Sequence, residues 1–483
     1  MSTPIRRVAI ACMILFAALL VNANWVQVGQ VNRLKEEPTN ARQITERLER
    51  QRGGIIAGDE ELAISVPVDD EYKYQRKYPA GQLYANVTGY YTLFTAAGLE
   101  RSEDVFLSGD DDRLLASRVT DLFTGEERRG GTVVTTIVPR VQQVATEALA
   151  GRKGAVVALD PSTGAILAMV TSPTYDPNTL ASHDESAATD AYQGLSTDKN
   201  QPLLNRPAQQ TYPPGSTFKL ITAAAALSSG RYEPDTRVPA PDELTLPQST
   251  TVLPNFDGET CGDGETDTLI HALTISCNTA FGELGIELGD DAVRAQAEAF
   301  GFNSTIEDFP LQQARSIFPN DLDGAQTAQS AIGQFNVQAT PLQMAEVAAA
   351  IGNGGVRMKP YLVSELRGPD TKRISRTEPT VLSKPITPEV AAKLTTMMES
   401  VVTSGTGRKA QISGVNVAGK TGTAEHGDGE DPHAWFVGFA PASAPEVAVA
   451  VIVEDGGGEL GTGGAVAAPV AQKVMQAALD TQR

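Results

Sequence analysis

Ser216 and Lys219, within Pro213-Pro214-Gly215-Ser216-Thr217-Phe218-Lys219, are the pair whose types and spacing point most directly to chemistry. Two prolines and a glycine lead into an apolar, alanine-rich run, which predicts a helix over 217–228 with Ser216 in its first turn. A serine hydroxyl attacks a carbonyl only when a base takes its proton. Side chains three apart share a helix face. Lys219 is therefore placed to be that base, once burial or a cationic neighbour brings its pKa down from about 10.4 toward neutrality. Unpaired amides at the helix start would stabilise an oxyanion. The chemistry implied is acyl transfer through an ester on Ser216. Alone, Ser-x-x-Lys also describes an ordinary capped helix. Two further short runs follow it, Ser276-Cys277-Asn278 at a helix end and Lys420-Thr421-Gly422 after the strand-like Val415-Asn416-Val417-Ala418. They add a second hydroxyl, an amide and a second amine.

The elements that must position these residues are legible from pattern. Ala155-Val156-Val157-Ala158-Leu159 and Ile166-Leu167-Ala168-Met169-Val170 flank Asp160-Pro161-Ser162-Thr163-Gly164, which reads as a hairpin. Ala434 to Phe439 and Val447 to Val453 give further strands near the C-terminus, and helical runs such as 217–228 and 340–352 lie between the two groups. Strands at both ends enclosing a helical middle predict an α/β fold in which first and last strands share one antiparallel sheet. Short strand-like runs from Gly53 to about Gly130, including Ile55-Ile56-Ala57 and Leu62 to Val66, predict a smaller mixed domain ahead of it. The pair Gly130-Gly131 marks the expected boundary.

The chain has 483 residues, a length that calls for more than one hydrophobic core. Its apolar and charged fractions, 41% and 20%, are those of a globular protein, and a net charge of -20 argues against nucleic acid or an anionic lipid surface as partner. Arg6 and Arg7 precede an apolar stretch that begins at Val8 and, counted to Val28, is long enough to cross a bilayer with the N-terminus inside. The competing reading is a cleaved signal peptide, with small residues at Val21-Asn22-Ala23; a lipoprotein reading through Cys12 fits less well. The expected organisation is a cytoplasmic tail over 1–7, a membrane anchor over 8–28, a pedestal over 29–130 that opens with a charged stalk at 33–52, and a catalytic domain over 131–483. All but a purely cytosolic reading export the bulk of the chain. Of three cysteines, only Cys261 and Cys277 are placed to pair, and the sequence leaves that pairing open.

Other patterns compete. Gly414-Val415-Asn416-Val417-Ala418-Gly419-Lys420-Thr421 fits G-x-x-x-x-G-K-[ST], but its strand-like residues lie inside the pattern and an acidic, Gly-rich segment follows instead of a helix. No Gly-x-Ser-x-Gly occurs and only four histidines are present, so a Ser-His-Asp hydrolase has little support. His271 reads as a helix-surface or packing residue. His426 and His433 bracket an acidic loop without a cysteine, which reads as a solvated turn rather than a metal centre. The glycines from Gly456 to Gly464 read as a flexible turn.

Taken together and in order, Ser-x-x-Lys, Ser-x-Asn and Lys-Thr-Gly resemble the active-site runs of penicillin-binding proteins and serine β-lactamases. The chain is similar to the class B penicillin-binding proteins, monofunctional D,D-transpeptidases, and among them to the actinobacterial penicillin-binding protein A branch. Arg76-Lys77-Tyr78-Pro79-Ala80-Gly81-Gln82-Leu83 with Gly89-Tyr90, Leu159-Asp160-Pro161-Ser162-Thr163-Gly164, Gly333-Gln334 and Thr340-Pro341-Leu342-Gln343-Met344 extend the likeness across nearly all of the exported part. The resemblance implies a five-stranded antiparallel sheet flanked by helices, carried on an N-terminal pedestal. It implies Ser216 as the acylated nucleophile, Lys219 as proton acceptor, Ser276 and Asn278 as proton relay and substrate clamp, and Lys420 as the electrostatic closure of the network. Thr421, Gly422 and Thr423 would bind the donor, with amides of Ser216 and Thr423 as the oxyanion hole. The implied partners are peptidoglycan stem peptides ending in D-Ala-D-Ala, β-lactams, the membrane, and cell-division or elongation proteins at the pedestal, with no cofactor, no metal and no nucleic acid. A D,D-carboxypeptidase of the same fold is the alternative enzyme, and a non-catalytic cell-wall scaffold the alternative from another class. A β-lactamase is disfavoured by pedestal and anchor, and a sensor by the single span.

Overall fold

The computed structural model describes residues 3–25, 49–115, 123, 127–427, 429–456 and 462–481. Helix α1 (Thr3–Asn24) holds a window, Pro4–Asn22, with mean hydropathy 2.1, long and apolar enough to cross a membrane. Residues 26–28 of the expected anchor and 33–48 of the expected stalk lie outside the described residues.

The N-terminal unit is built on β1 (Ile55–Ala57), β2 (Glu60–Pro67), β3 (Tyr74–Lys77) and β4 (Thr132–Thr135). Beneath it, Glu100 is fully buried and accepts from Arg52 Nε (2.7 Å), Arg76 Nε (2.5 Å) and Tyr78 Oη (3.2 Å). Such a carboxylate is tolerated inside only because both its oxygens are met by cationic donors.

The larger unit starts with α2 (Pro139–Leu149), β5 (Gly154–Leu159) and β6 (Ile166–Ser172). Next come the central helix α3 (Lys219–Ser228), then α4 (Leu269–Ile275), α5 (Asn278–Leu288) and α6 (Pro341–Gly352). Strands β7 (Val363–Arg367) and β8 (Arg373–Arg376) precede α7 (Pro388–Thr403), β9 (Ala418–Ala424), β10 (His433–Ala440), β11 (Val447–Val453) and α8 (Gly463–Thr481). The five-stranded sheet has the order β9-β10-β11-β5-β6, antiparallel throughout, so first and last strands do share one sheet.

Both faces of that sheet are covered, which is why its strands are apolar without alternation. Val156, Phe436 and Val451 face a core shared with α2 and α8, while Val157, Met169 and Val437 face the core of α3, α6 and α7. Helix α3 is buried from Lys219 to Leu227, as its nearly all-round apolar composition requires.

The boundary expected at Gly130-Gly131 falls beside a six-stranded sheet of order β8-β7-β4-β1-β2-β3, to which residues 132–135, 363–367 and 373–376 of the expected catalytic part also contribute. Sheet order is set by hydrogen bonding between distant segments, which local pattern does not carry. The last-but-two strand begins at Ala418 rather than Val415, because Ile412 and Val415 close a tight bridge first. Lys-Thr-Gly thus lies inside a strand, paired Lys420↔Val437 and Gly422↔Trp435, with neither the loop nor the following helix a phosphate cradle needs.

Candidate active site

Ser216 sits in a 3₁₀ turn, Gly215–Phe218, that leads directly into α3. The turn is pinned from several sides. Gly215 N–H donates to Gly333 O (3.0 Å), Thr217 Oγ1 to Pro214 O (2.7 Å), and the buried Trp435 Nε1 to Pro213 O (3.0 Å). Gly215 adopts φ 51°, and a Cβ there would stand 2.8 Å from Thr423 O, so only glycine lets the turn lie against β9.

Lys219 opens α3 with its side chain fully buried. Its Nζ donates to Ser276 O (2.7 Å), Asn278 Oδ1 (2.7 Å) and, at 3.4 Å, Ser276 Oγ. Among the described residues no hydrogen bond joins Lys219 Nζ to Ser216 Oγ: the predicted shared face is there, but the lysine's donors are turned to the Ser-x-Asn corner. Catalytic hydrogen bonds commonly tighten only in the reacting complex.

That corner is the junction of α4 and α5. Ser276 takes a left-handed conformation (φ 67°, ψ 39°) and breaks the helix, so its hydroxyl and carbonyl both face the lysine. Asn255 Oδ1 accepts from the N–H groups of Asn278 (3.0 Å) and Thr279 (3.1 Å), fixing the first turn of α5. Cys277 is bonded to Cys261, with the Cα atoms 6.1 Å apart, which ties the corner to the loop before it.

From the opposite wall, Lys420 Nζ on β9 donates to Ser276 Oγ (2.9 Å) and Thr421 O (2.9 Å). Two buried amines thus converge on one hydroxyl. Burial pushes Lys420 down to about 7; burial first, and then the Lys420 charge, pushes Lys219 well below the ordinary lysine range. A lowered pKa is the direction that a general base at this position requires.

Ser216, Ser276, Asn278, Thr421 and Thr423 line a cleft of about 570 Å³, with Phe256, Ile275 and Ile332 among its apolar walls. Gly422 does not face it: a Cβ there would press on Pro214 O and Thr217 Cγ2, both at 3.0 Å, so this glycine makes room for the serine turn instead. His271 lies away on α4, hydrogen-bonded to Asp267 Oδ2 (2.7 Å) and half exposed.

Sequence reasoning passed over two contributors. Thr406 Oγ1 lies 2.5 Å from Thr421 Oγ1, orienting the hydroxyl of the Lys-Thr-Gly run. Gly463, read as part of a flexible turn, starts α8 against the back of β9: a Cβ would meet Trp435 O at 2.2 Å and Gly422 O at 2.4 Å. Residues 457–461 of that turn lie outside the described residues. The one sequence signal was the Gly463-Gly464 pair heading a long apolar helix.

Comparison with known proteins agrees with this geometry. The Penicillin binding protein transpeptidase domain matches residues 154–476, and the Penicillin binding protein A dimerisation domain matches 52–133. The chain is 49% identical to the peptidoglycan D,D-transpeptidase PbpA of Mycolicibacterium smegmatis and 47% identical to that of Mycobacterium tuberculosis, covering 99% of both chains in each case. Among solved structures, penicillin-binding protein A from M. tuberculosis as its ceftriaxone acyl-enzyme superposes with a TM-score of 0.87 at 48% identity, over 90% of this chain and all of that one. The penicillin G acyl-enzyme of the same protein gives 0.85 at 49% identity, over 89% of this chain and all of that one.

Proposed function

Because the chain belongs to the penicillin-binding protein transpeptidase family, we propose that it is a peptidoglycan D,D-transpeptidase working through an acyl-enzyme on Ser216. The observation that carries this reading is the convergence of two buried lysine amines on Ser276 Oγ, at 2.9 and 3.4 Å, beneath a cleft that exposes Ser216.

In the first step neutral Lys219 takes the proton of Ser216, whose Oγ attacks the carbonyl of the penultimate D-Ala; the tetrahedral oxyanion faces the amides of Ser216 and Thr423. Collapse breaks the peptide bond. The leaving D-Ala nitrogen needs a proton, and Ser276, which Lys420 can reprotonate, is the hydroxyl within reach of Lys219 to relay it. Lys420 supplies positive charge on the wall where Thr421 and Thr423 would hold the donor's terminal carboxylate. In the second step the relay runs backward, deprotonating an acceptor amine that displaces Ser216 and forms the crosslink. A β-lactam presents an amide carbonyl and carboxylate in the same relation and stops at the first step.

The apolar helix α1 fits a membrane anchor. The finer reading places the N-terminus in the cytoplasm and the catalytic unit outside, with the pedestal sheet free to meet other cell-wall proteins; Arg6 and Arg7, in the first turns of that helix and ahead of its apolar run from Val8, support that orientation. Incubation of the full chain with a pentapeptide donor ending in D-Ala-D-Ala and an amine acceptor tests the reaction. Release of D-Ala with a new amide is expected. Release with hydrolysis alone would mean a carboxypeptidase, and no release from a folded protein would point to a scaffold.

A further inference from the structure

The loop between β9 and β10 holds a group of side chains that the transpeptidase reading does not use. His426 follows the end of β9, His433 begins β10, and Asp455 follows the end of β11; the ligating atoms of all three lie within 4.8 Å of one another. His426 Nε2 is 3.0 Å from Asp455 Oδ1 and 2.9 Å from the carbonyl oxygen of Asp431. His433 Nδ1 stands 3.6 Å from the same Asp455 oxygen and accepts from the Asp455 N–H at 3.2 Å, so that nitrogen carries no proton. On the outer side, His426 Nδ1 meets Glu430 Oε2 at 2.8 Å.

With the His426 proton on Nδ1, toward Glu430, its Nε2 turns a lone pair toward two oxygens that are also acceptors. Such a convergence of acceptors is stabilised by a cation at its centre. We propose that His426 Nε2, His433 Nδ1 and Asp455 Oδ1 bind a borderline divalent cation, Zn²⁺ above all, the His433 Nδ1 lone pair exchanging the Asp455 N–H for the ion and Glu430 serving as the outer carboxylate that fixes the His426 tautomer. Separations of 3.0 and 3.6 Å bracket the edge of about 3.3 Å that a tetrahedral site with bonds of about 2.0 Å requires. The rings now stack, centroids 3.7 Å apart and 20° from parallel, so His426, on the exposed loop, swings out of the stack to bring the ion into both ring planes. A cavity of about 530 Å³, lined by His426, His433, Tyr212 and Gln338, leaves room for water or a further ligand at the fourth position. Glu425 and Pro432, inside the same loop, line the catalytic cleft, so the ion would brace one rim of that cleft.

The test uses the full chain in detergent, stripped with a chelator and then dialysed against Zn²⁺ or Co²⁺. The expected result is one ion per chain by elemental analysis, an intense tetrahedral Co²⁺ absorption, and a Zn²⁺-dependent rise in Tm. His426→Ala and Asp455→Asn, neither of them a core replacement, should lose the ion while still being labelled by penicillin, and Glu430→Gln should weaken binding by about 10-fold or more. Absence of stoichiometric metal in the folded parent, which would leave the acceptors served by a proton on His426, overturns the proposal. Retention of the ion by both loop variants overturns it equally.

Discussion

Ser276 Oγ lies 2.9 Å from Lys420 Nζ, although the two residues are 144 positions apart and sit on opposite walls of the cleft. This contact joins the helical half of the catalytic unit to its sheet, and it makes the hydroxyl a shared acceptor for two buried amines.

Ser276→Gly keeps the left-handed corner and removes the hydroxyl. Acylation by a β-lactam should slow by about 10²-fold or more, the scale of a lost proton relay, while the initial binding constant changes little. Stopped-flow measurement separates the two, and an unchanged acylation constant would remove Ser276 from the relay.

The two lysines predict opposite responses to pH. Lys219, held well below the ordinary lysine range, should let the acylation constant rise with pH as the amine loses its proton, whereas Lys420, at about 7, loses its charge as pH rises through that value and binding of a carboxylate-bearing β-lactam should weaken. For stability the sign is the reverse of an acid's. A lysine whose folded pKa lies below its unfolded one of about 10.4 binds fewer protons when folded, so its cost is full at low pH and fades as pH rises from about 7 to about 10. Denaturant titrations should show the chain gaining stability across that window, and Lys420→Met should flatten the gain.

Gly463→Ala should destabilise the chain by about 1–3 kcal/mol or more, because the atoms in its way, Trp435 O and Gly422 O, are backbone and cannot turn aside. Penicillin labelling should slow with it, since both carbonyls belong to the strands that carry Lys420 and Trp435. Thermal melts and labelling rates read the two effects.

In the N-terminal unit, Glu100→Ala should cost about 3–5 kcal/mol, as it strands Arg52 and Arg76 without their buried partner. Although burial alone would raise the Glu100 carboxyl, Arg76 and Arg52 hold it below the usual range. The stability it lends is therefore present above the unfolded carboxylate pKa and lost as pH falls through the folded one. Acid unfolding of the pedestal, followed by hydrogen exchange, checks this.

How far the sequence carried the site follows from how local each part is. Ser216 with Lys219, Ser276 with Asn278, and Lys420 with Thr421 are pairs within one turn or strand, and their spacing shows in the chain. Thr406 and Gly463 act through contacts with β9 from α7's far end and α8's start, and neither residue type announces such a contact. Gly422 was legible as part of a run but not in its role, because whether a strand residue faces the cleft or the serine turn depends on register. Pairing of β7, with β8 beyond it, onto β4 was invisible for the same reason: Thr135 and its partner Val363 are 228 positions apart.

The most direct test of Ser216 as nucleophile is intact mass and peptide mapping of the full chain after incubation with a fluorescent penicillin, with Ser216→Ala in parallel. One adduct per chain, mapped to Ser216, persisting over hours and missing from the variant, is the predicted result. An adduct on any other residue, or one that the variant still forms, would contradict it.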